Sequence, residues 1–221
     1  MIKIEKTDVY GWEAAIRGMR NPMNSWGRSD SYKTHIEDPE TLQVADFEFF
    51  VGDADKELMM NLASGGSVHA KYRRMITVTC DITAPLYWWK EFDTYKVGTV
   101  ANSCSTMHKI HTKEFTIEDF SVEHLGFLPY GEGEYNFKAS IYETINDLNL
   151  ARELFLETKD KRYWWQMIQL LPSSYNQKRT VLMNYEMLTN VFRWRKDHKL
   201  DEWHVFCDWI TSLPHSEIIT L

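Results

Sequence analysis

The sequence predicts an α+β fold in which helices pack on a small antiparallel sheet. Several long segments carry hydrophobic residues at helical spacing, whereas apolar and polar residues alternate with a period of two from Lys71 to Ile82. The chain has 221 residues and is 43% hydrophobic, which is enough to bury a substantial core. Because no stretch has the composition of a flexible linker, we expect one domain over residues 1–221.

Helical patterns dominate the first part of the chain. TDVYGWEAAIRGMR predicts a first helix, and the following NPMNSWGRSDS has the residues of turns. PETLQVADFEFF and ADKELMMNLAS are amphipathic and predict two more helices, the second of which should end at Gly65–Gly66.

The clearest strand is predicted for Lys71 to Ile82. One set of alternate residues is mainly apolar and the other polar; they are Tyr72, Ile76, Val78, Cys80 and Ile82 against Lys71, Arg73, Thr77, Thr79 and Asp81. Ala84–Pro85 should end this strand, with Pro85 in the first turn of an aromatic helix, LYWWKEF.

The second half of the chain begins with a polar stretch, TYKVGTVANSCSTMH from Thr94 to His108, which is either a solvated loop or the wall of a site for a polar ligand. A loop region that includes FLPYGEGEYN should follow it. Three helices are predicted to close the chain: NFKASIYETINDLNLARELFLETK, then a long buried helix over Asn176 to Lys199, then DEWHVFCDWITSL.

Charge and cysteine usage exclude some classes of protein. The net charge of −7 argues against a general nucleic-acid binder, which needs a basic face. No apolar run approaches the length of a membrane span. The three cysteines have no paired spacing and MIKIEKTDVY is charged from its start, so we expect a reducing cytoplasm.

An arginine near the end of the predicted Asn176 to Lys199 helix is a candidate functional residue. At 100° per residue, Asn184, Leu188 and Arg195 share an otherwise apolar stripe with two further residues, Met187 and Val191. A buried guanidinium is costly unless it has a partner. The alternatives are a structural ion pair, with Glu186 or Asp197 as candidate partners, and an anionic or carbonyl-bearing ligand.

The second alternative is favoured by a resemblance. Leu171–Pro172, Asn184, Asn190 and Arg195 have the identities and spacing of the C-terminal half of the flavin-dependent thymidylate synthases. The family signature R-H-R-x-x-S-x-N-E-x-S-x-R-Y also follows a strand, an Ala-Pro and an aromatic helix, where TYKVGTVANSCSTMH stands. Upstream, His69 and Lys71 occupy the first and third positions of the family's H-x-T motif. The resemblance runs from about His69 to Trp203.

This resemblance implies an FAD enzyme that transfers a one-carbon unit from methylenetetrahydrofolate to C5 of a pyrimidine deoxynucleotide, dUMP to dTMP in the family, with NADPH as reductant. It implies a homotetramer with sites between subunits. Arg195 and Ser105 would be the catalytic residues. The implied cofactor-binding residues are His69, Lys71, Tyr95, Lys96, Asn102, Asn184 and Asn190. The implied substrate-binding residues are Glu91, Thr94, Ser103, Ser105, His108 and Arg195.

The chain departs from the family at positions where arginines are expected. Thr94 replaces an arginine of the R-H-R, and Met107 and Ile168 stand where arginines hold the nucleotide phosphate. Each lost bidentate contact costs about two decades in affinity. Tight dUMP binding therefore requires a substitute, for which the candidates are Lys96, His108, Lys109 and Lys178.

Other motifs have structural or functional interpretations. Cys104, His108 and His111 form C-x3-H-x2-H, but no fourth ligand is evident and we predict no metal site. Trp88–Trp89 and Trp164–Trp165 are typical of a core or a subunit interface rather than of cofactor stacking. At the level of the whole protein, the alternative to an enzyme is a flavin- or nucleotide-binding paralogue that has lost the synthase reaction or acts on a different nucleotide.

Overall fold

The computed structural model describes residues 2–37 and 44–221 and has the predicted mixed architecture of helices with small antiparallel sheets. Its strands are β1 Lys3–Tyr10, β2 Tyr32–Glu37, β3 Val44–Phe50, β4 Thr77–Pro85, β5 Val100–Ser103, β6 Phe127–Tyr130, β7 Gly133–Asn136 and β8 Asn176–Asn184. Its helices are α1 Trp12–Arg20, α2 Asp53–Ser64, α3 Leu86–Phe92, α4 Phe137–Thr158, α5 Lys161–Leu170, α6 Tyr185–Arg195, α7 Asp201–Ser212 and α8 Glu217–Thr220. None of the helices in these described ranges is long and apolar enough to cross a membrane.

In the described part of the chain, the strands form one four-stranded and two two-stranded sheets. The four-stranded sheet has the order β1-β4-β8-β5. The pairs β2–β3 and β6–β7 are both antiparallel.

The chain divides into two compact units. The first comprises Met1–Glu5, Asp81–Thr94 and Ala101–Thr180, and the second comprises Lys6–Cys80, Tyr95–Val100 and Val181–Leu221. The core of the first unit is built around α4 and α5, with buried Leu148 and Met167 among its members. In the second unit, α6 and α7 bury Leu188, Trp203 and Phe206.

Side-chain caps begin three helices of the second half. The side chains of Asn136, Asp160 and Asn184 each accept a hydrogen bond from a backbone N–H in the first turn of α4, α5 and α6 respectively. Such caps satisfy donors that have no partner within the helix.

Several predicted elements agree with the structure. Helix α2 ends with Gly65 as its C-cap, α3 follows Pro85, and both α4 and α7 occupy their predicted segments. The strand predicted from Lys71 is present only from Thr77, because Lys71–Arg74 forms a 3₁₀ turn that buries Tyr72 and Arg73.

Three helical predictions were wrong in part or throughout. Residues 7–10 belong to β1, and α1 begins only after Gly11, whose φ of 94° favours glycine. The predicted helix PETLQVADFEFF contains β3 instead; its residues 39–43 lie outside the described residues. The first part of the predicted Asn176 to Lys199 helix is β8, in which Val181 and Met183 are buried and Leu182 is exposed. That alternation is the signature of a strand.

The expected loop FLPYGEGEYN is a β-hairpin, and KRYWWQMIQL, for which no element was predicted, forms α5. The hairpin turns through Gly131, at φ 61°, and Glu132. A glycine at the first position of a two-residue turn is typical of type II′ hairpins.

Candidate functional site

Arg195 is the last residue of α6, and aromatic side chains of the second unit hold it in place. Its Nε donates a hydrogen bond to the hydroxyl oxygen of Tyr95 over 2.9 Å. The guanidinium carbon lies 4.7 Å from the centre of the Trp203 ring and 5.5 Å from that of Tyr95. Cation–π contacts of this kind restrict a guanidinium to a plane and an orientation. The side chain is half-buried.

The apolar stripe predicted beside Arg195 is present on α6. Met187, Leu188 and Val191 are buried on α6, as predicted. Glu186, a carboxylate that the structural alternative proposed as a partner, lies 3.7 Å from Arg73 instead.

The start of α6 packs tightly against the segment that follows α3. The amide of Asn184 caps the helix, with Oδ1 accepting a hydrogen bond from the backbone N–H of Met187 over 2.9 Å. Its Nδ2 lies so close to Gly98 that a Cβ on that residue would approach it to 2.4 Å. Gly98 also has a φ of 79°, so both space and backbone conformation favour glycine there. Next to it, the hydroxyl of Thr99 is buried without a hydrogen-bond partner among the described residues.

The other predicted residues of the second unit are exposed. His69, Lys71, Lys96 and Asn190 all present their side chains to solvent. His69 precedes the 3₁₀ turn Lys71–Arg74, and Asn190 lies on α6 next to the buried Thr189. The structure therefore pairs Arg195 with Tyr95 and places Asn184 against Gly98, whereas the other four side chains are exposed.

In the first unit, Glu91 in the last turn of α3 and Thr94 just after the helix are hydrogen-bonded to each other. The carbonyl oxygen of Glu91 accepts hydrogen bonds from the backbone N–H of Thr94 over 3.1 Å and from its hydroxyl over 2.7 Å. Thr94, at an expected arginine position, thus caps the end of its own helix.

The predicted polar residues after β5 form an exposed turn. The hydroxyl oxygen of Ser105 accepts hydrogen bonds from the backbone N–H groups of Met107 and His108 over 3.2 and 2.9 Å. Asn102, Ser103, Ser105 and His108 are all exposed. Gln177 anchors the turn by donating from Nε2 to the carbonyl oxygen of Cys104 over 2.7 Å.

Two basic residues of β8 are tied to carboxylates within the first unit. Lys178 pairs with Asp81 over 3.0 Å, and a hydrogen bond from the lysine to that carboxylate raises the pKa of the lysine. Arg179 lies 4.2 Å from the centre of the Trp89 ring and donates to Asp93 over 2.8 Å. Lys178, one of the candidate substitutes for the missing arginines, therefore already has an anionic partner.

Sequence reasoning missed two residues of the second unit that contact predicted site residues. Trp203 contacts Arg195 and Gly98 lies against Asn184, but neither was in the predicted set. Only Gly98 carried a usable signal, since a lone glycine in a polar stretch often marks a close backbone approach.

Met107 and Ile168, which stand at the other expected arginine positions, carry no charge. Met107 is exposed, and its carbonyl oxygen accepts a hydrogen bond from Trp164 over 2.9 Å. Ile168 packs against the hydrophobic core of the first unit.

The cysteine and histidine motif lies mostly on the surface, whereas the tryptophan pairs are partly in the core. Cys104 and His108 are exposed, and within the described ranges no group of three or more histidine, cysteine or acidic side chains is arranged to hold a metal. Trp88 and Trp89 are buried in the core, in agreement with the prediction, and Trp165 is exposed on α5.

Solved structures with the same architecture match this chain over its whole length. Thymidylate synthase X from Helicobacter pylori, solved with FAD and dUMP, matches with a TM-score of 0.66 and 15% identity, over 100% of this chain and 97% of that one. The fold is that of thymidylate synthase X.

A second group of matches is a UMP/dUMP methylase, PolB from Streptomyces cacaoi. Its complex with 5-bromo-dUMP matches with a TM-score of 0.60 and 15% identity, over 100% of this chain and 95% of PolB. Its complex with 5-bromo-UMP matches with a TM-score of 0.62 and 12% identity, over 100% of this chain and 94% of PolB. No protein-family model and no curated protein matches the sequence.

The likeness to thymidylate synthase X and PolB confirms the predicted fold class. The sequence identities of 12–16% are too low to carry residue roles from one chain to another. The roles assigned above to Arg195, Ser105 and the binding residues therefore stay predictions.

Proposed function

We propose that this protein is a flavin-dependent methylase that transfers a one-carbon unit to C5 of a pyrimidine nucleotide. The observation that carries the proposal is the guanidinium of Arg195, held by the Tyr95 hydroxyl and the Trp203 ring in a fold shared with thymidylate synthase X. A preorganised guanidinium stabilises negative charge that develops on a pyrimidine carbonyl when the ring is activated to form a bond from C5 to the one-carbon unit.

The residues of the second unit fit FAD. The unpartnered hydroxyl of Thr99 and the exposed amide of Asn190 offer hydrogen bonds to a polar ring system. The exposed ammonium groups of Lys71 and Lys96 suit the charge of a pyrophosphate. Bound FAD would supply the redox step, with NADPH as reductant and methylenetetrahydrofolate as one-carbon donor.

Within the proposed reaction, the protein's own residues orient and polarise the substrate. Arg195 would donate hydrogen bonds to a carbonyl of the pyrimidine. Ser105, whose oxygen already accepts two backbone hydrogen bonds, has its hydroxyl proton left to donate to the nucleotide. Among the described residues, no histidine or carboxylate side chain is hydrogen-bonded to Ser105, so we propose a binding role for it rather than a nucleophilic one.

The nucleotide phosphate requires a recognition mode different from the two arginine contacts that the resemblance implies. Met107 and Ile168 stand at those positions and offer no charge, and Ile168 packs on the core. Because Lys178 is paired with Asp81, we propose that His108 and Lys109, both exposed in the turn after β5, contact the phosphate.

We further propose that the protein is a cytoplasmic homotetramer with sites between subunits. None of its three cysteines forms a disulfide in the described part of the chain, which suits a reducing compartment. Exposed apolar side chains on the β6–β7 hairpin, including Phe127 at 65% and Tyr130 at 74% exposure, are candidates for burial against another subunit.

The first test is the visible absorbance spectrum of the purified protein, followed by turnover assays with dUMP and with UMP. We expect a flavin spectrum, retained or restored with added FAD, and methylated product that depends on NADPH and methylenetetrahydrofolate. A protein that does not bind FAD under any condition would overturn the proposal.

A second candidate function is a flavin- or nucleotide-binding paralogue without synthase activity. The packing of Ile168 into the core and the hydrogen bond of Thr94 to Glu91 favour it, since Ile168 replaces an expected phosphate-binding arginine and Thr94 replaces an arginine of the R-H-R. Tight FAD binding with no turnover of either nucleotide would decide for this alternative.

A further inference from the structure

A cavity of about 1040 Å³ lies within the second unit, and none of the predicted site residues lines it. Its walls come from the end of β1, the start of α1, the β2–β3 hairpin and the end of α7. This volume is at the upper limit for pockets that bind small molecules, which suits a larger ligand.

Two strands line the cavity along their edges. Residues 7–10 of β1 and residues 48–51, which include the end of β3, line it as consecutive runs. Successive side chains of a strand point to opposite faces, so a cavity that contacts consecutive residues lies beside the backbone edge rather than over one face.

These edges are free of other strands. In the described part of the chain, β1 is the end strand of its sheet and β3 pairs only with β2. An unpaired edge presents backbone N–H and C=O groups that an added strand can satisfy.

Exposed aromatic rings line the same cavity. Tyr10 and Phe50 are each more than half exposed, at 55% and 53%. The Trp209 indole is fixed on the α7 side, where its Nε1 donates to the hydroxyl of Thr7 over 3.0 Å. A bound chain would cover apolar surface that now faces water.

Two carboxylates give the cavity its charge preference. Asp8 on β1 and Glu48 on β3 have no hydrogen bond or ion pair to another described residue. Of the basic residues in the lining, Arg17 lies 3.9 Å from Glu13, His215 lies 3.9 Å from Glu217, and Lys33 also has a partner. The unmatched charge is therefore negative, on both walls.

We propose that this cleft binds an extended, basic segment of polypeptide, which adds as a strand to the free edge of β1. Its backbone would pair with residues 7–10, its apolar side chains would contact Tyr10 and Phe50, and its basic side chains would pair with Asp8 and Glu48. This proposal concerns a surface outside the proposed nucleotide site and does not depend on it.

The probe is a fluorescein-labelled peptide of alternating lysine and valine, titrated with the full-length protein in a fluorescence anisotropy assay. We expect saturable binding and no binding of a glutamate–valine peptide of the same length. The double variant Asp8→Asn with Glu48→Gln should bind the basic peptide about tenfold more weakly, as expected for two exposed charge pairs. Glu57→Gln is the matched control, because Glu57 is an exposed carboxylate on α2 that does not line the cavity.

Amide hydrogen exchange then tests strand addition itself. The peptide should slow exchange in residues 7–10, whereas spermidine, a free organic cation, should not. The proposal is overturned if the peptide does not bind, if Glu57→Gln weakens binding as much as the double variant, or if spermidine competes equally without edge protection. Residues 7–10 could instead be protected in the protein alone, with the protection lost on dilution. That result would assign this edge to a second copy of the chain and would also overturn the proposal.

Discussion

The guanidinium of Arg195 is where the sequence and the structure agree most usefully. The sequence identified it because a charged side chain on an apolar helix stripe is costly without a partner. Its hydrogen bond to Tyr95 joins residues 100 positions apart, and no periodic pattern carries information over such a distance. The resemblance placed Tyr95 in the site, but as a flavin contact rather than as a support for Arg195.

Arg195→Ala should weaken nucleotide binding by about 2 kcal/mol, roughly thirtyfold, because a charged hydrogen bond to the pyrimidine is lost. Isothermal titration with dUMP and with UMP measures this loss. Arg193→Ala is the control, since Arg193 is an exposed arginine on the same helix. A lower melting temperature for Arg195→Ala with unchanged nucleotide and flavin affinity would assign the arginine a purely structural role.

Tyr95→Phe should weaken nucleotide binding by about 1 kcal/mol, roughly fivefold, because it removes the acceptor that orients Nε of Arg195 but keeps the ring. The same titrations measure it, and Arg195→Ala combined with Tyr95→Phe should be no weaker than Arg195→Ala alone. Additive losses in the double variant would mean that Tyr95 acts independently of Arg195.

Among the elements, the sequence predicted long helices best and the boundary between strand and helix worst. Helix α4 was predicted almost to its ends, because its apolar spacing is sustained. The sequence pattern predicts one helix for the stretch that contains β8 and α6, and it places Asn184 on an apolar stripe of that helix. In the structure Asn184 is the N-cap of α6. Asparagine is one of the preferred residue types at that position, so the sequence did contain a signal for the helix start.

Asn184→Ala should destabilise the protein by about 1 kcal/mol, the usual cost of losing a helix cap. Asn184→Asp keeps an acceptor oxygen for the N–H of Met187 and should retain most of that stability. Thermal unfolding of the two variants separates the cap from the predicted flavin contact. If the aspartate variant is as unstable as the alanine variant, the cap does not account for the role of Asn184 in stability.

For the whole molecule, the sequence indicated the fold class and the resemblance indicated its relatives, but neither indicated the buried polar contacts that join distant segments. Asp55 is fully buried and accepts hydrogen bonds from Arg20, Ser29 and Ser31. It thereby ties α2 to α1 and to the segment before β2 in the second unit. On sequence grounds Asp55 is an ordinary acidic residue in the first turn of a helix, where a solvated carboxylate is expected.

These contacts make the stability of the protein depend on pH. Burial alone would raise the pKa of Asp55, but the hydrogen bonds from Ser29, Ser31 and Arg20 together outweigh it and hold the pKa below its usual value. A carboxyl group whose pKa is lower in the folded state contributes stability above its unfolded pKa, near 3.9, and that contribution is lost as the pH falls through the folded value. The free energy of unfolding should therefore decrease as the pH is lowered below about 4.

Asp55→Asn should lower the free energy of unfolding by about 3–5 kcal/mol at neutral pH, because it leaves the buried guanidinium of Arg20 without its anionic partner. The variant should also lose the share of acid sensitivity that Asp55 contributes, so that its free energy of unfolding varies less with pH below about 4. Urea unfolding over a series of pH values measures both effects, with Glu57→Gln, on the exposed side of the same helix, as the control. An Asp55→Asn protein with the wild-type pH dependence would mean that other carboxylates govern the acid sensitivity, and that the hydrogen bonds to Asp55 stabilise its charged and neutral forms alike.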